Sequence, residues 1–394
     1  MAHYFIFPEK DTTLYSHPDR SLMNAGYDEI IEIVKEKGTS DQYHHPSRIL
    51  IKFKNEDIKE VHDLIGSEKF NSTTIATTSS VLLQLTEANT KNLVSTHNIN
   101  AYAVSQSWTE GTGKYLNLPT GSNGASWTYR DDSITATPWT GSGTDTNWFG
   151  SGGGTGSISQ SVLEQGGGTW YTGSGFYATQ QFLDGDELDT NLEVKEIVQK
   201  HSASLYGGEE YPNGIYNYGF LLKMPDSVEH DVSSSFGEIQ YFSSNTHTIY
   251  PPKLIFKWDD SSYSLPLDKV AISGSLFVSL YNNQKEYNQN DEVIFRIHVR
   301  EKYPTRQFTT TSNYLNVSYL ATSSFYSVRD AHTEEEIIPF DNTFTKLSAD
   351  DEGMFFKIYM NGLQPERYYR ILFKHINDEG TRIYDNNYLF KVIR

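Results

Sequence analysis

The chain has 394 residues, 14% of them aromatic, with 50 acidic against 32 basic side chains, a formal net charge of −18 and no cysteine. Disulfides and thiolate metal sites are thereby excluded, and so negative a chain repels a phosphate backbone, so neither nucleic acid nor an anionic membrane is expected as a partner. The length suggests about two or three units, each able to bury a core, and Tyr, Phe and Trp set among Ser, Thr, Asn and Gly favour strands joined by polar turns.

The opening MAHYFIFPEKDTTLY has no basic segment followed by an apolar core, so no Sec-type leader is expected, and no window is long and apolar enough for a transmembrane helix. The expectation is a chain made and kept in a cytoplasm until something such as lysis releases it. Tyr4, Ile6, Thr12 and Leu14 alternate with their neighbours around Pro8, as in an edge strand broken by proline. A turn at Asn24, Ala25 and Gly26 leads to DEIIEIV. SRILIKF (47–53) then sets Ile49, Ile51 and Phe53 on one face against Arg48, Leu50 and Lys52 on the other. NEDIKEVHDLIG (55–66) carries apolar residues at 58, 61, 64 and 65, the spacing of a short helix, and SSVLLQLTEA returns to strand.

From 111 to 175 the texture changes. SGGGTGS (151–157), GGG (166–168) and many Thr and Ser read as a loop. Structureless loops longer than about 15 residues are uncommon in compact domains, and Trp108, Trp127, Trp139, Trp148 and Trp170 lie in or beside this one, an aromatic content that argues against free disorder. LEVKEIVQKH (192–201) places Val194, Ile197 and Val198 at helical spacing. In NYGFLLK, Gly219 allows a tight entry to a strand in which Phe220 and Leu222 oppose Leu221 and Lys223. GEIQYFSS, PPKLIFKW, SGSLFVSLYN (273–282), EVIFRIHVRE (292–301), FFKIYM (355–360), RYYRILFK (367–374) and NYLFKVIR (387–394) read as further strands at short spacing. The polar stretch DDSSYSLPLD (259–268) is the expected boundary, and no repeat of fixed period is present.

The running order DTTLYS, NAGYDEI, SRILIKF, VSQSWTEGTGK, GASWTYR, PWTGSGTD, LEVKEIVQKH, NYGFLLK and YFSSNTHTIYPPKLIF resembles a DNRLRE-like domain over about residues 5 to 258. That resemblance implies a jelly-roll-type β-sandwich related to carbohydrate-binding modules. Members of that family sit behind a signal peptide beside enzyme domains, and this sequence departs from that pattern. From about 266 to 394, VREKYPTRQF, SSFYSVRDAHTEEEIIPFD, TKLSADDEGMFFKIYMNGLQPERYYRILFK and FKVIR look like virion structural proteins of tailed bacteriophages, in which a sandwich domain follows a DNRLRE-like one.

Exposed aromatic faces stack on sugar rings, which makes Trp127, Tyr129, Trp170 and Tyr171 glycan-binding candidates. The competing reading is that these rings are buried and pin down the glycine-rich loop. Asp184, Asp186 and Asp189 in DGDELD offer oxygen ligands for Ca²⁺ without the spacing of an EF-hand loop, and a solvated acidic turn is the reading preferred over a metal site. His44 and His45 are adjacent and point to opposite sides of an extended segment, so no metal is expected there. The neighbouring pairs Asp131 with Asp132 and Asp259 with Asp260 have no sign of the cleft that acid–base chemistry needs, and neither a nucleophile elbow nor a phosphate-cradling loop occurs. Tyr303 with Arg306, and Arg367 with Tyr368 and Arg370, pair residue types enriched at protein interfaces.

The sequence thus leads to an all-β expectation: a jelly-roll-type sandwich over 1–258 with a Gly/Ser/Trp-rich loop region at 111–175, a linker at 259–268, and an Ig/fibronectin-like sandwich over 269–394. The expected role is a non-enzymatic structural component of a tailed-phage virion, at the neck, tail or capsid, partnered by other virion proteins and copies of itself and using no cofactor. The alternative is a glycan-binding module for attachment to a host surface.

Overall fold

The computed structural model describes residues 2–37, 44–70, 79–115, 123–139, 166–206, 214–229, 231, 234–272, 274–281, 283–304, 308, 317–377 and 380–394. Strands make up 47% and helices 10%, so the all-β expectation holds at the level of fold class. The chain divides into two compact units, one formed by Ile6–Asn71 and Val81–Ile255, the other by Met1–Phe5, Ser72–Ser80 and Phe256–Arg394.

In chain order the elements begin with β1 (Ala2–Ile6), β2 (Pro8–Tyr15), β3 (Ile30–Lys37), β4 (His44–Phe53), α1 (Asn55–Ile65) and the single turn α2 (Ser67–Phe70). Then come β5 (Ser79–Leu85), β6 (Glu87–Lys91), β7 (His97–Ala103), the short pair β8 (Tyr129–Asp131) and β9 (Thr137–Pro138), β10 (Tyr177–Phe182) and β11 (Thr190–Glu193). They are followed by α3 (Lys195–Tyr206), β12 (Phe220–Lys223), the single turn α4 (Asp226–Glu229), β13 (Glu238–Phe242) and β14 (Lys253–Trp258). The sheet of the first unit has the order β10-β7-β12-β4-β3-β13-β6, with β2 also paired to β4.

The opposed side chains of SRILIKF and FLLK both turn into the interior: all four residues of β12 are buried, as are Arg48 and Leu50 of β4. One face carries Phe53 and Phe220, whose rings meet at 6.1 Å, with His201 of α3 5.6 Å from Phe220. Helix α1 carries Glu56 and Asp57 in its first turn, where acids complement the helix dipole, and buries Ile58, Val61 and Ile65. The opposite face carries Leu14, Leu50, Val104 and Leu221, packed with Trp108, Trp127, Trp139 and Trp170 from the described parts of the 111–175 region and its border. These described parts thus form a second covering layer over the sheet, and they contain the β8–β9 pair. Gly219 behaves as read from sequence. Its φ is +95°, and a Cβ there would lie 2.2 Å from the Ile51 carbonyl oxygen.

The second unit adds β15 (Leu276–Tyr281), β16 (Glu286–Asn288), β17 (Glu292–Glu301), β18 (Ser324–Asp330), β19 (Glu336–Ile338), β20 (Ser348–Asp350), β21 (Gly353–Tyr359), β22 (Tyr368–Asn377) and β23 (Gly380–Ile393). They form two sheets, β15-β17-β21-β20 and β16-β23-β22-β18-β19. Aromatic rings from the two sheets meet between them. Phe295 and Phe356 stack at 5.2 Å, Phe356 lies 4.5 Å from Tyr326 and 5.8 Å from Phe373, and Phe295 is 5.7 Å from Phe390. Within the 259–268 stretch, the Ser264 amide donates to the Ala349 carbonyl at 3.0 Å, and the Tyr263 hydroxyl donates to the Leu320 carbonyl at 2.5 Å.

Candidate functional site

The aromatic layer of the first unit encloses three charged side chains. Arg48 and Glu229 are both buried, with Arg48 Nε and Nη2 donating to the carboxylate at 3.1 and 2.8 Å and Lys223 Nζ donating at 2.9 Å. Arg48 also donates from Nη1 to the Gly167 carbonyl at 2.7 Å. Its guanidinium lies 4.6 Å from the centre of Trp127 and 5.0 Å from Trp170, and Lys223 sits 4.9 Å from Trp170. Burial alone pushes the Glu229 carboxyl up, but Arg48 and Lys223 outweigh it and hold the group below the usual carboxylate range. Two cations meet the buried Glu229 carboxylate and two indole faces here, with the partly exposed Asp226 also paired to Lys223, which makes this cluster an internal clamp between sheet and covering layer. Glycines complete it. At Gly167, φ is +77° and a Cβ would stand 2.6 Å from Arg48 Nη1 and 2.7 Å from Trp127 Cζ2.

The glycan candidates are placed as follows. Trp127 is 0% exposed and Trp170 2%, both turned against the buried cations. Tyr129 is half-buried in β8, and half-buried Tyr171 stacks on Phe176 at 5.4 Å. A different place in this unit offers polar groups to a small molecule, a cleft of about 480 Å³ lined by Tyr15, Glu32, Tyr115 and Gln240 among others. Tyr15 donates from its hydroxyl to Glu32 Oε1 at 2.7 Å, and Gln240 donates from Nε2 to Oε2 at 3.0 Å. The Tyr115 ring lies 5.4 Å from that of Tyr15, and at the rim Lys91 and Glu238 pair at 3.3 Å. Burial first, then the adjacent Glu32 carboxylate, drives the Tyr15 phenol well above its usual range, so it stays a donor. The lining is thus charged as well as aromatic, with Asp28, Glu32, Lys91, Lys114 and Glu238 around the two tyrosine rings.

In the second unit, the outer face of β15-β17-β21 bears Phe277, Ser279 and Tyr281 on β15, registered opposite Arg300, His298 and Arg296 of β17. Ile294 lies farther along the same face of β17, opposite Lys357. Phe277, Tyr281 and Ile294 are exposed, at 39%, 61% and 53%. Arg300 lies 4.6 Å over the Phe277 ring and Arg296 5.2 Å over Phe355, while Asp350 grips Arg296 in a bidentate pair at 2.7 and 2.9 Å. A groove of about 580 Å³ runs along this face, bordered by Tyr281, Arg296, His298, Val317, Ser318 and Glu352.

Of the interface candidates, Tyr303 is exposed, and Arg306 lies outside the described residues. Arg367 donates from Nε to Asp330 at 2.7 Å, Tyr368 is 44% exposed, and Arg370 pairs with Glu334. In the acidic turn, Asp186 Oδ2 accepts from the Leu183 amide and Asp189 Oδ1 from the Glu87 amide, both at 2.8 Å, while Asp184 is exposed. Among the described residues, no group of three or more His, Cys, Asp or Glu is placed to hold a metal ion, and no helix is long and apolar enough to cross a membrane.

Sequence reading missed two features. The outer row of β17 was visible as Ile294, Arg296, His298 and Arg300 at a period of two, and the internal clamp as single cations, Arg48 and Lys223, set in otherwise apolar strand runs. Compared with known proteins, the chain matches no protein-family model and no curated protein.

Proposed function

We propose that this chain is a non-enzymatic structural component of a tailed-bacteriophage virion, working at the neck, tail or capsid through protein–protein assembly. On this reading the first unit is a DNRLRE-like, jelly-roll-type sandwich and the second an Ig/fibronectin-like one. The observation that carries the role is the outer face of β15 and β17, where Phe277, Tyr281 and Ile294 stand exposed among Arg296 and Arg300. Exposed aromatics beside arginine are the residue types enriched where protein surfaces meet, and extended faces of this kind offset the entropy lost on ordering long connections. Mass spectrometry of purified virions with cross-linking tests it. The chain is expected among the particle proteins with cross-links to its neighbours, and its absence from particles overturns the proposal.

The cleft beside Tyr15 and Glu32 favours a second reading, a module that holds a host-surface glycan. On a polysaccharide array the wild type is expected to bind, and Tyr115→Ala to bind more weakly with the fold unchanged. A wild type that binds nothing removes this reading.

A further inference from the structure

We propose that the edge of the first unit's sheet, where β10 runs beside β7, holds a neutral glycan chain, at a site apart from both the β15–β17 face and the cleft at Tyr15. Antiparallel register sets Tyr177 opposite Tyr102, Thr179 opposite Asn100 and Gln181 opposite Asn98. Opposite residues share a face of the sheet. Tyr102 and Asn100 in turn stand opposite Leu221 and Lys223 of β12, so all six side chains lie on the face that the tryptophan layer covers farther in. Trp170 lies 5.9 Å from Tyr102, and toward β10 the strip opens to solvent. Tyr177 is 50% exposed, Thr179 and Gln181 are exposed, and Tyr102 and Asn98 are half-buried. Four residue steps of about 3.4 Å give the strip a length of about 14 Å, more than a single sugar ring needs.

The chemistry of the strip selects the occupant. At one end the Tyr102 and Tyr177 rings stack at 5.8 Å, an aromatic surface on which a sugar ring can lie. The other two rungs carry only hydroxyl and amide groups, which donate and accept as sugar hydroxyls do. The Thr179 hydroxyl donates to Asn100 Oδ1 at 2.9 Å, and Asn100 Nδ2 donates to the Tyr102 hydroxyl at 3.2 Å, which leaves the phenol its own hydrogen to give to a ligand. Burial first, then Asp226, pushes the Tyr102 phenol up to about 12, so that hydrogen stays in place. The six side chains carry no formal charge. The charged groups beside Tyr102 are Lys223, 5.8 Å from its ring, with Asp226 and Glu229. Lys223 pairs with both acids and Arg48 with Glu229, two charges of each sign. A charged ligand therefore finds no counter-charge here, and an acidic one is repelled by a chain of net charge −18. An added protein strand is also disfavoured, because Gln180 already ties β10 to β11, accepting from the Asn191 amide at 2.6 Å and donating to the Asp189 carbonyl at 3.3 Å.

The test is an array of neutral and acidic polysaccharides, followed by calorimetric titration of the full chain with the neutral oligosaccharide it selects. The wild type is expected to bind a neutral glycan in preference to acidic ones, with an affinity that does not fall as salt rises. Tyr177→Ala is expected to weaken binding by about tenfold and Gln181→Ala by about threefold, while Tyr177→Phe, which keeps the ring, retains most of it. Both positions are exposed, and near-ultraviolet circular dichroism confirms that each variant keeps its fold. A wild type that binds no neutral glycan overturns the inference, as does binding that weakens steeply with salt or is indifferent to Tyr177→Ala. The cleft is told apart by Tyr115→Ala. Binding lost in Tyr115→Ala and kept in Tyr177→Ala sinks this inference and leaves the cleft reading standing, and the opposite pattern does the reverse. Absence of the chain from virions overturns the assembly reading without touching this one.

Discussion

Replacing Glu229 by Gln probes the internal clamp most directly. The carboxylate accepts from Arg48 at 3.1 and 2.8 Å and from Lys223 at 2.9 Å, with all three side chains out of solvent. Glutamine keeps the shape but leaves two buried cations without their buried anion. Removing one member of such a cluster costs about 3 to 5 kcal/mol. The lower part of that range is expected, because Asp226, 52% exposed, also pairs with Lys223. At about 2 to 4 °C per kcal/mol for a unit of this size, a loss of about 3 to 4 kcal/mol lowers the melting temperature by about 6 to 16 °C. Urea titration followed by tryptophan fluorescence is the natural assay, since Trp127 and Trp170 lie against the cations, and the midpoint should drop with little change in slope. Acid supplies an internal control. The folded carboxyl sits below its ordinary 4.5, so its contribution is complete above that pH and is lost as pH falls through the folded value. The gap between wild type and Glu229→Gln therefore narrows below pH 4.5. Replacing all three charged residues together by apolar ones of similar size is expected to cost less than Glu229→Gln alone. A loss under about 1 kcal/mol for Glu229→Gln, the scale of a surface ion pair, refutes the clamp.

Further outcomes follow from the same layer and its surroundings. Trp127→Ala is expected to destabilise the first unit by about 3 to 5 kcal/mol in a thermal melt, because it empties a buried site and uncovers Arg48. Gly167→Ala should cost about 1 to 3 kcal/mol more than Gly185→Ala in the same assay. Both glycines have positive φ, but only at Gly167 would the added carbon strike Arg48 and Trp127. His201 is buried and its pKa is lowered by desolvation from 6.5 to about 3. The unfolded chain takes up this proton first, so stability falls as pH drops below 6.5 by about 1.4 kcal/mol per pH unit from this group, and His201→Leu should flatten that slope. Asp11 behaves oppositely. Burial above all raises its pKa from 3.8 to about 7, so the folded chain holds the proton longer and stability declines as pH rises through that interval. Asp11→Asn should remove the decline, and an unchanged pH profile would contradict the assignment.

Much of the fold class was legible in local pattern. Period-two alternation in EVIFRIHVRE corresponds to strand Glu292–Glu301 and helical spacing in NEDIKEVHDLIG to α1, while LEVKEIVQKH (192–201) is helical only from Lys195, its Leu192 and Glu193 closing strand β11. These signals survive because they depend only on which side chains neighbouring residues put on one face. Gly219 was legible for a similar reason, its role being set by backbone conformation. The candidate sites were less so. Trp127 and Trp170 look alike in sequence whether they face water or an arginine, and only packing turned them inward. The sequence sets Lys223 on the face of Leu221 but does not show its partners, which are Glu229 and Trp170.

What the sequence determined by itself was the alternation of short strands, two amphipathic helices and a glycine- and tryptophan-rich segment between them. The tertiary structure alone decided that the described parts of this segment, with Trp127, Trp139 and Trp170, lie on the sheet as a second cover, making both faces of β4 and β12 interior. It also joined Arg48 to Glu229 across 181 positions of chain. The physical reason is that local pattern reports only the preference of a side chain for an environment, whereas burial of a charge becomes favourable only when its counter-charge arrives from a distant segment.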